Sequence, residues 1–217
     1  MWNYAVQRYF EIKGAIGRVN IVYKDIIIRD YKEEDIIDGI RWMNEEIAWH
    51  EWDAPWESEE DLNNFDAEKY YQKAMEKLKD KKDDSEFRRR FEIDTKYGIH
   101  IGRVNSYLND EEYNWKSASQ GGCLHTLGID ICESAYWHKG YGTQAFIAFI
   151  QYHLSREIVD IYTETWSGNY PMIAMARKIG FEECNRERNL RVIRGNSYDG
   201  LTFKLNIKKF EEFLCNY

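Results

Sequence analysis

Residues 137–143 read Trp137-His138-Lys139-Gly140-Tyr141-Gly142-Thr143, two glycines and a lysine just ahead of an apolar run. Such residues suit anion binding. Glycine lets the backbone turn sharply and lets a ligand come close. The first N–H groups of a helix have no intrahelical acceptor and carry partial positive charge, which favours phosphate. Lys139 adds a full charge beside them. The segment from Tyr141 to Leu154 carries Phe146, Phe149, Ile150 and Leu154 at helical spacing, so the glycines fall where a helix begins. The stretch predicts a pyrophosphate cradle.

Two cofactor classes use such a cradle. Gly140 to Ala145 fits the dinucleotide fingerprint G-x-G-x-x-G/A, and Asp160 lies at the distance of a ribose partner. That fingerprint wants its first glycine at the end of the strand that opens the domain. Here eight residues separate Ile131 from Gly140 and most of the chain lies upstream. A nicotinamide oxidoreductase is therefore the third reading.

The loop Trp137–Gly142 resembles the acyl-CoA pyrophosphate loop of the GNAT N-acetyltransferases, Q/R-x-x-G-x-G/A, with Trp137 in place of the usual Gln or Arg. The W-x-K-G-Y form is similar to the branch containing the ribosomal-protein N-terminal acetyltransferases. Downstream, Asn169 to Phe181 resembles the next block of that superfamily, N-x-x-x-I-x-x-A-x-K-x-G-F. The resemblance implies an α/β fold, a mixed and mostly antiparallel central sheet flanked by helices in a single domain. It implies acetyl-CoA as donor and direct attack by an amine in a ternary complex. It assigns cofactor contacts to Trp137, His138, Lys139, Gly140, Tyr141, Gly142, Thr143 and Asn169. Ile129 and Ile131 would add backbone N–H groups from a bulged strand, polarising the thioester carbonyl.

Acetyl transfer also needs a neutral amine. An alkyl ammonium of pKa about 10.4 costs roughly 4–5 kcal/mol to deprotonate at pH 7. The carboxylate that serves some superfamily members falls here at Thr126, which is no base. Asp130 and Glu164 are the nearest candidates, and a base acting through ordered water is the alternative. His125 lies on the opposite strand parity. The usual acidic tyrosine position holds Ala176, so the acid is unassigned. A chain lacking both groups also admits a second reading, a non-catalytic acyl-CoA-binding or regulatory module.

The elements that must position these residues follow from periodicity. Ile26–Ile28 reads as a first strand and Asp35–Trp49 as a helix with Ile36, Ile40, Met43 and Ile47 inward. A second helix, capped near Glu57–Asp61, runs to about Lys79 with Tyr71, Ala74, Met75 and Leu78 inward. Residues 86–94 and 99–108 read as a hairpin, 109–121 as a polar insertion, 122–131 and 158–166 as strands. Asn169–Ile179 is a short helix and 201–207 a half-exposed strand. Residues 1–24 are expected to be an extension and 25–217 the acetyltransferase domain.

The segment Glu45–Glu68 holds ten Asp/Glu, no Lys or Arg, and the tryptophans Trp49, Trp52 and Trp56. Carboxylates and indole faces both attract ammonium groups. The resemblance places this region on the acceptor side, so Trp49, Glu51, Trp52 and Trp56 are the expected substrate contacts, and the expected acceptor is a cationic small-molecule or peptide amine. A solvated acidic loop anchored by core tryptophans is the competing reading.

The 217 residues carry a net charge of −8 with 43% hydrophobic and 16% aromatic content. This is the composition of a folded chain, without the basic surface that nucleic acid requires. The longest apolar run, Ala145–Ile150, is too short to span a bilayer, and the start of the chain has no secretory pattern. The four cysteines lack metal-type spacing. No metal, nucleic acid or membrane partner is expected, the location expected is cytoplasmic, and the sequence leaves open whether the chain pairs as a homodimer.

Overall fold

The computed structural model describes residues 11–13, 19–56, 62–79, 83 and 86–217. Their packing forms two compact units, one of residues 11–104 with 129–148 and one of residues 105–128 with 149–217. The N-terminal signal expected for the second helix, Glu57–Asp61, lies outside the described residues.

The first unit is built on β1 (Glu11–Lys13), β2 (Asn20–Tyr23), β3 (Ile26–Arg29) and β4 (Arg90–Thr95), in that spatial order, followed by the start of β5 (His100–Asn109). β1 to β4 pair antiparallel, with Ile21 opposite Ile28 and Ile28 opposite Ile93. The strand expected at Ile26–Ile28 is present but is not the first, because β2 hydrogen-bonds to it from within the stretch read as an extension. Ile21, Ile26, Ile28, Phe91 and Ile93 are all 0% exposed. Arg29 ends β3 in a buried fork, donating to both Asp35 oxygens at 2.7 Å and to Asp94 at 2.6 and 2.7 Å. A buried guanidinium needs such partners, since an unpaired buried charge is strongly destabilising.

α1 (Asp35–Asn44) buries Ile36, Gly39 and Trp42, at i, i+3 and i+6. This corrects the expected stripe: the helix stops at Asn44, so Ile47 falls in the following turn and is exposed. Gly39 lets α2 (Ala67–Lys79) approach, for a Cβ there would overlap the Tyr70 phenol. A 3₁₀ turn, Ala48–Glu51, lies between the two helices.

The second unit contains the rest of β5, β6 (Leu124–Ile131) as far as Gly128, β7 (Ile161–Trp166), β8 (Phe181–Ile193) and β9 (Asn196–Leu205), in the order β5-β6-β7-β9-β8. β6 and β7 run parallel, with partners from His125↔Ile161 to Leu127↔Thr163. β9 is antiparallel to both β7 and β8. The sheet is thus mixed and mostly antiparallel, as expected. The β8–β9 hairpin turns at Arg194 and Gly195, both at positive φ, 50° and 78°.

α3 (Tyr141–Ser155) is 15 residues long. One apolar face was expected, yet every residue from Ala145 to Ile150 is 0% exposed, the signature of a helix enclosed on all sides. α4 (Tyr170–Lys178) and α5 (Ile207–Asn216) begin at asparagine N-caps: Asn169 Oδ1 accepts from Met172 N at 3.1 Å and Asn206 Oδ1 from Lys209 N at 3.2 Å.

Candidate active site

β6 ends in a way that prepares the glycine loop. Cys132 N donates to Ile101 O at 2.9 Å, so Asp130 and Cys132 turn their amides toward β5, and strand alternation points those of Ile129 and Ile131 away. The ladder from β6 to β7 ends at Leu127↔Thr163, and Ile129 and Ile131 lie beyond it. β5 presses close at this point: a Cβ on Gly102 would strike the Asp130 carbonyl.

A 3₁₀ turn, Ser134–Tyr136, leads into the loop. Two anchors hold it, one on α1 and one on the turn that follows that helix. The Trp42 indole donates to Glu133 Oε1 at 2.6 Å, joined there by Arg41, while Ser134 N donates to Glu46 Oε1 at 3.3 Å. His138 and Gly140 then take positive φ, 58° and 85°, and the chain enters α3 at Tyr141. Gln144 N is bonded to Gly140 O at 3.1 Å, so the amides of Tyr141, Gly142 and Thr143 precede the first intrahelical bond. The first turn contains no acidic residue. A Cβ on Gly140 would have no neighbour closer than Gln144 Nε2 at 4.0 Å, which leaves its backbone open to a ligand. Lys139 rests its ammonium over the Tyr136 ring at 5.5 Å. Gln144, 7% exposed, ties this turn to the β2–β3 hairpin by accepting from Asp25 N at 2.8 Å. The geometry fits a pyrophosphate.

Trp137 has a bond inside the protein: its indole donates to Ile131 O at 2.7 Å, and its ring packs against Trp42, Trp49 and Cys132. It joins the loop to the strand rather than presenting its N–H outward. Asn169 likewise gives its side-chain oxygen to the cap of α4.

The two carboxylates have different partners. Asp130 accepts from Arg103 Nε at 2.8 Å, and that guanidinium lies over the Trp49 ring at 4.7 Å. Burial opposes the Arg103 charge, but Asp130, with Glu92 and Asp53 adding to it, outweighs that effect and keeps the group firmly protonated. Trp49 is 5% exposed and donates to Trp42 O at 3.0 Å. Trp49, expected among the acceptor contacts, lies in the core, and the cation its indole face meets here is the chain's own Arg103. Trp52 and Trp56 are half-buried and Glu51 is exposed.

Glu164, in the second unit, sits in a nest of donors. Oε1 accepts from Asn109 Nδ2 at 2.8 Å and Thr202 Oγ1 at 3.4 Å, and Oε2 accepts from Tyr107 OH at 3.1 Å. Burial pushes this carboxyl above the ordinary carboxylate range, against the pull of those hydrogen bonds. Thr126 and Ala176 are both 0% exposed. Tyr107, Asn109 and Thr202 were not singled out in the sequence; the available signal was polar residues recurring at alternate positions of a β-rich run.

Asp35, Asp38 and His100 form a metal-type grouping, but His100 faces carboxylates through both ring nitrogens, Asp38 at 2.9 Å and Glu92 at 3.2 Å. Burial alone would pull its pKa down; those hydrogen bonds prevail and raise it to about 9. Both nitrogens then carry protons, and neither has a lone pair for a metal.

Residues 25–182 match the family model described as Acetyltransferase (GNAT) domain. No curated protein matches the chain. Among solved structures, an acetyltransferase of the GNAT family from Bacillus anthracis superposes with a TM-score of 0.62 at 14% identity, covering 92% of this chain and 99% of that one. A ribosomal-protein-alanine N-acetyltransferase from Brucella melitensis gives 0.56 at 19% identity, over 82% and 97%. The ribosomal L7/L12 alpha-N-protein acetyltransferase RimL, in complex with coenzyme A, gives 0.61 at 12% identity, over 84% and 94%.

Proposed function

The chain belongs to the GNAT acetyltransferase family, and from that premise we propose that it moves the acetyl group of acetyl-CoA to a cationic amine by direct attack in a ternary complex. The observation that supports this most is the turn at His138 and Gly140 into the acid-free first turn of α3. There the amides of Tyr141, Gly142 and Thr143, with Lys139, would hold the pyrophosphate. Acetyl-CoA, when bound, supplies the activated acetyl group. Backbone N–H groups of Ile129 and Ile131 would stabilise the oxyanion that forms as the amine adds.

Of the two carboxylates, Glu164 is the better base. Asp130 is the counter-ion of Arg103, whereas burial lifts Glu164 toward the working pH, where a general base is most effective. No acid is needed for the leaving group, since a thiol of pKa about 8.5 departs readily as thiolate. Glu51, Trp52 and Trp56 remain the residues proposed to meet the acceptor, a small-molecule amine or a peptide N-terminus.

Thiol release from acetyl-CoA over a panel of polyamine, aminoglycoside and peptide N-terminal amines tests the proposal. Turnover with a cationic member is the expected result. The buried Thr126 and Ala176, where the family's base and acid would stand, favour one competing reading, a non-catalytic acyl-CoA-binding module. Coenzyme A binding without turnover on the whole panel would establish it.

A further inference from the structure

We propose that Asn109 is a positioning residue whose buried amide, with Tyr107 and Thr202, keeps the Glu164 carboxylate aligned to take up a proton. This rests on the reading of Glu164 as the base. Asn109 is 1% exposed, and Nδ2 lies 2.8 Å from Glu164 Oε1 while Oδ1 has no hydrogen-bond partner among the described residues. The orientation of the amide is fixed chemically, since turning it over would set its oxygen against a carboxylate oxygen. Buried amides ordinarily engage both ends, and an unpaired buried acceptor lowers stability. Asn109 therefore contributes poorly to the fold at the atom that faces away from Glu164, and well at the atom that faces it. A side chain selected for stability alone would be apolar here.

Thr126 provides an internal control. It pairs with Tyr162, two residues before Glu164 on the same strand face, is 0% exposed, and its hydroxyl is also without a hydrogen-bond partner among the described residues. No hydrogen bond links it to Glu164. The titratable groups around Glu164 are Tyr107 from β5, Cys184 from β8, Tyr162 on its own strand, and Lys204 from β9, whose ammonium is committed to Asp160 at 2.7 Å. Tyr113, from the turn after β5, reaches Tyr162 and Cys184. None of these is a cation paired with Glu164, so its affinity for a proton is set by burial against the three hydrogen-bond donors.

The test is a pH titration of the Glu164 carboxyl in the full chain, by NMR of glutamate labelled at the side-chain carboxyl carbon, assigned by its loss in Glu164→Gln. Removing a hydrogen bond to a carboxylate should raise the midpoint by about one pH unit. The rise is expected to be largest in Asn109→Leu, smaller in Tyr107→Phe, smallest in Thr202→Val, and absent in Thr126→Val. Below the midpoint, where the carboxyl is protonated and the lost hydrogen bond no longer counts, Asn109→Leu should also melt no lower than the parent. An unmoved midpoint in both Asn109→Leu and Tyr107→Phe would overturn the proposal, as would a lower melting temperature in Asn109→Leu with the midpoint unchanged. Should Asn109→Leu not fold, Tyr107→Phe alone decides. Failure of the underlying reading shows separately, as a Glu164→Gln enzyme whose pH–rate profile matches the parent.

Discussion

The indole N–H of Trp137 donates to the main-chain carbonyl of Ile131 at 2.7 Å. The loop proposed to hold the pyrophosphate and the strand proposed to hold the pantetheine arm are thereby joined at a fixed spacing. Trp137→Phe keeps the ring and removes the bond. With a hydrogen bond worth about 1 kcal/mol, coenzyme A affinity should fall roughly fivefold by calorimetry. An unchanged dissociation constant would mean that the loop keeps its place without this link.

Gly142→Asp should separate binding from stability. A carboxylate in the first turn of α3 suits the positive end of the helix by about 0.3–1 kcal/mol, and replacing a helical glycine adds to that. The same charge would repel a pyrophosphate. The expected result is a melting temperature equal to or above the parent, together with loss of coenzyme A binding. Retained affinity in the folded variant would remove the loop from the cofactor site.

The two tryptophans Trp49 and Trp52 should behave differently. Trp49→Ala empties a core position beneath Arg103 and should cost about 3–5 kcal/mol of stability, measurable by denaturant titration. Trp52→Ala should leave stability nearly intact and raise the Michaelis constant for the acceptor. Several contacts of about 0.5–1 kcal/mol each would have to act together, so a change of about threefold is expected. If Trp52→Ala also unfolds the chain, the acidic segment is structural.

His100 predicts a pH window for stability. Its pKa is raised to about 9 by Asp38 and Glu92, above the unfolded value of about 6.5. The stabilisation is complete below about pH 6.5 and disappears as pH rises through 9. Melting temperatures measured between those limits should decline in the parent and decline less in His100→Gln. Parallel curves for the two proteins would show that His100 does not carry the effect.

The glycine loop and the block from Asn169 to Phe181 were legible because residue type there encodes a backbone demand: Gly140 and Gly180 do adopt positive φ, 85° and 107°. The central strands were legible from their apolar runs. β8 was not, because most of its side chains are exposed and a strand without a buried face shows no alternation. Trp49 and Trp52, three residues apart in one acidic segment, look alike in sequence, and only packing tells the core anchor from the half-buried neighbour. Asn109 was invisible for a similar reason. A polar residue at a strand end reads as surface, whereas its amide is enclosed against Glu164.

Arg29 bears on a different question, how the chain finds its register. Ile26-Ile27-Ile28 is apolar at every position, so burial alone scarcely distinguishes one alignment of β3 against its neighbours from the next. A slip by one residue would carry the guanidinium away from Asp94 and Asp35 and leave a buried charge without its counter-ions. The fork thus singles out one alignment of an otherwise ambiguous strand by energy, since only in that register are these charges neutralised.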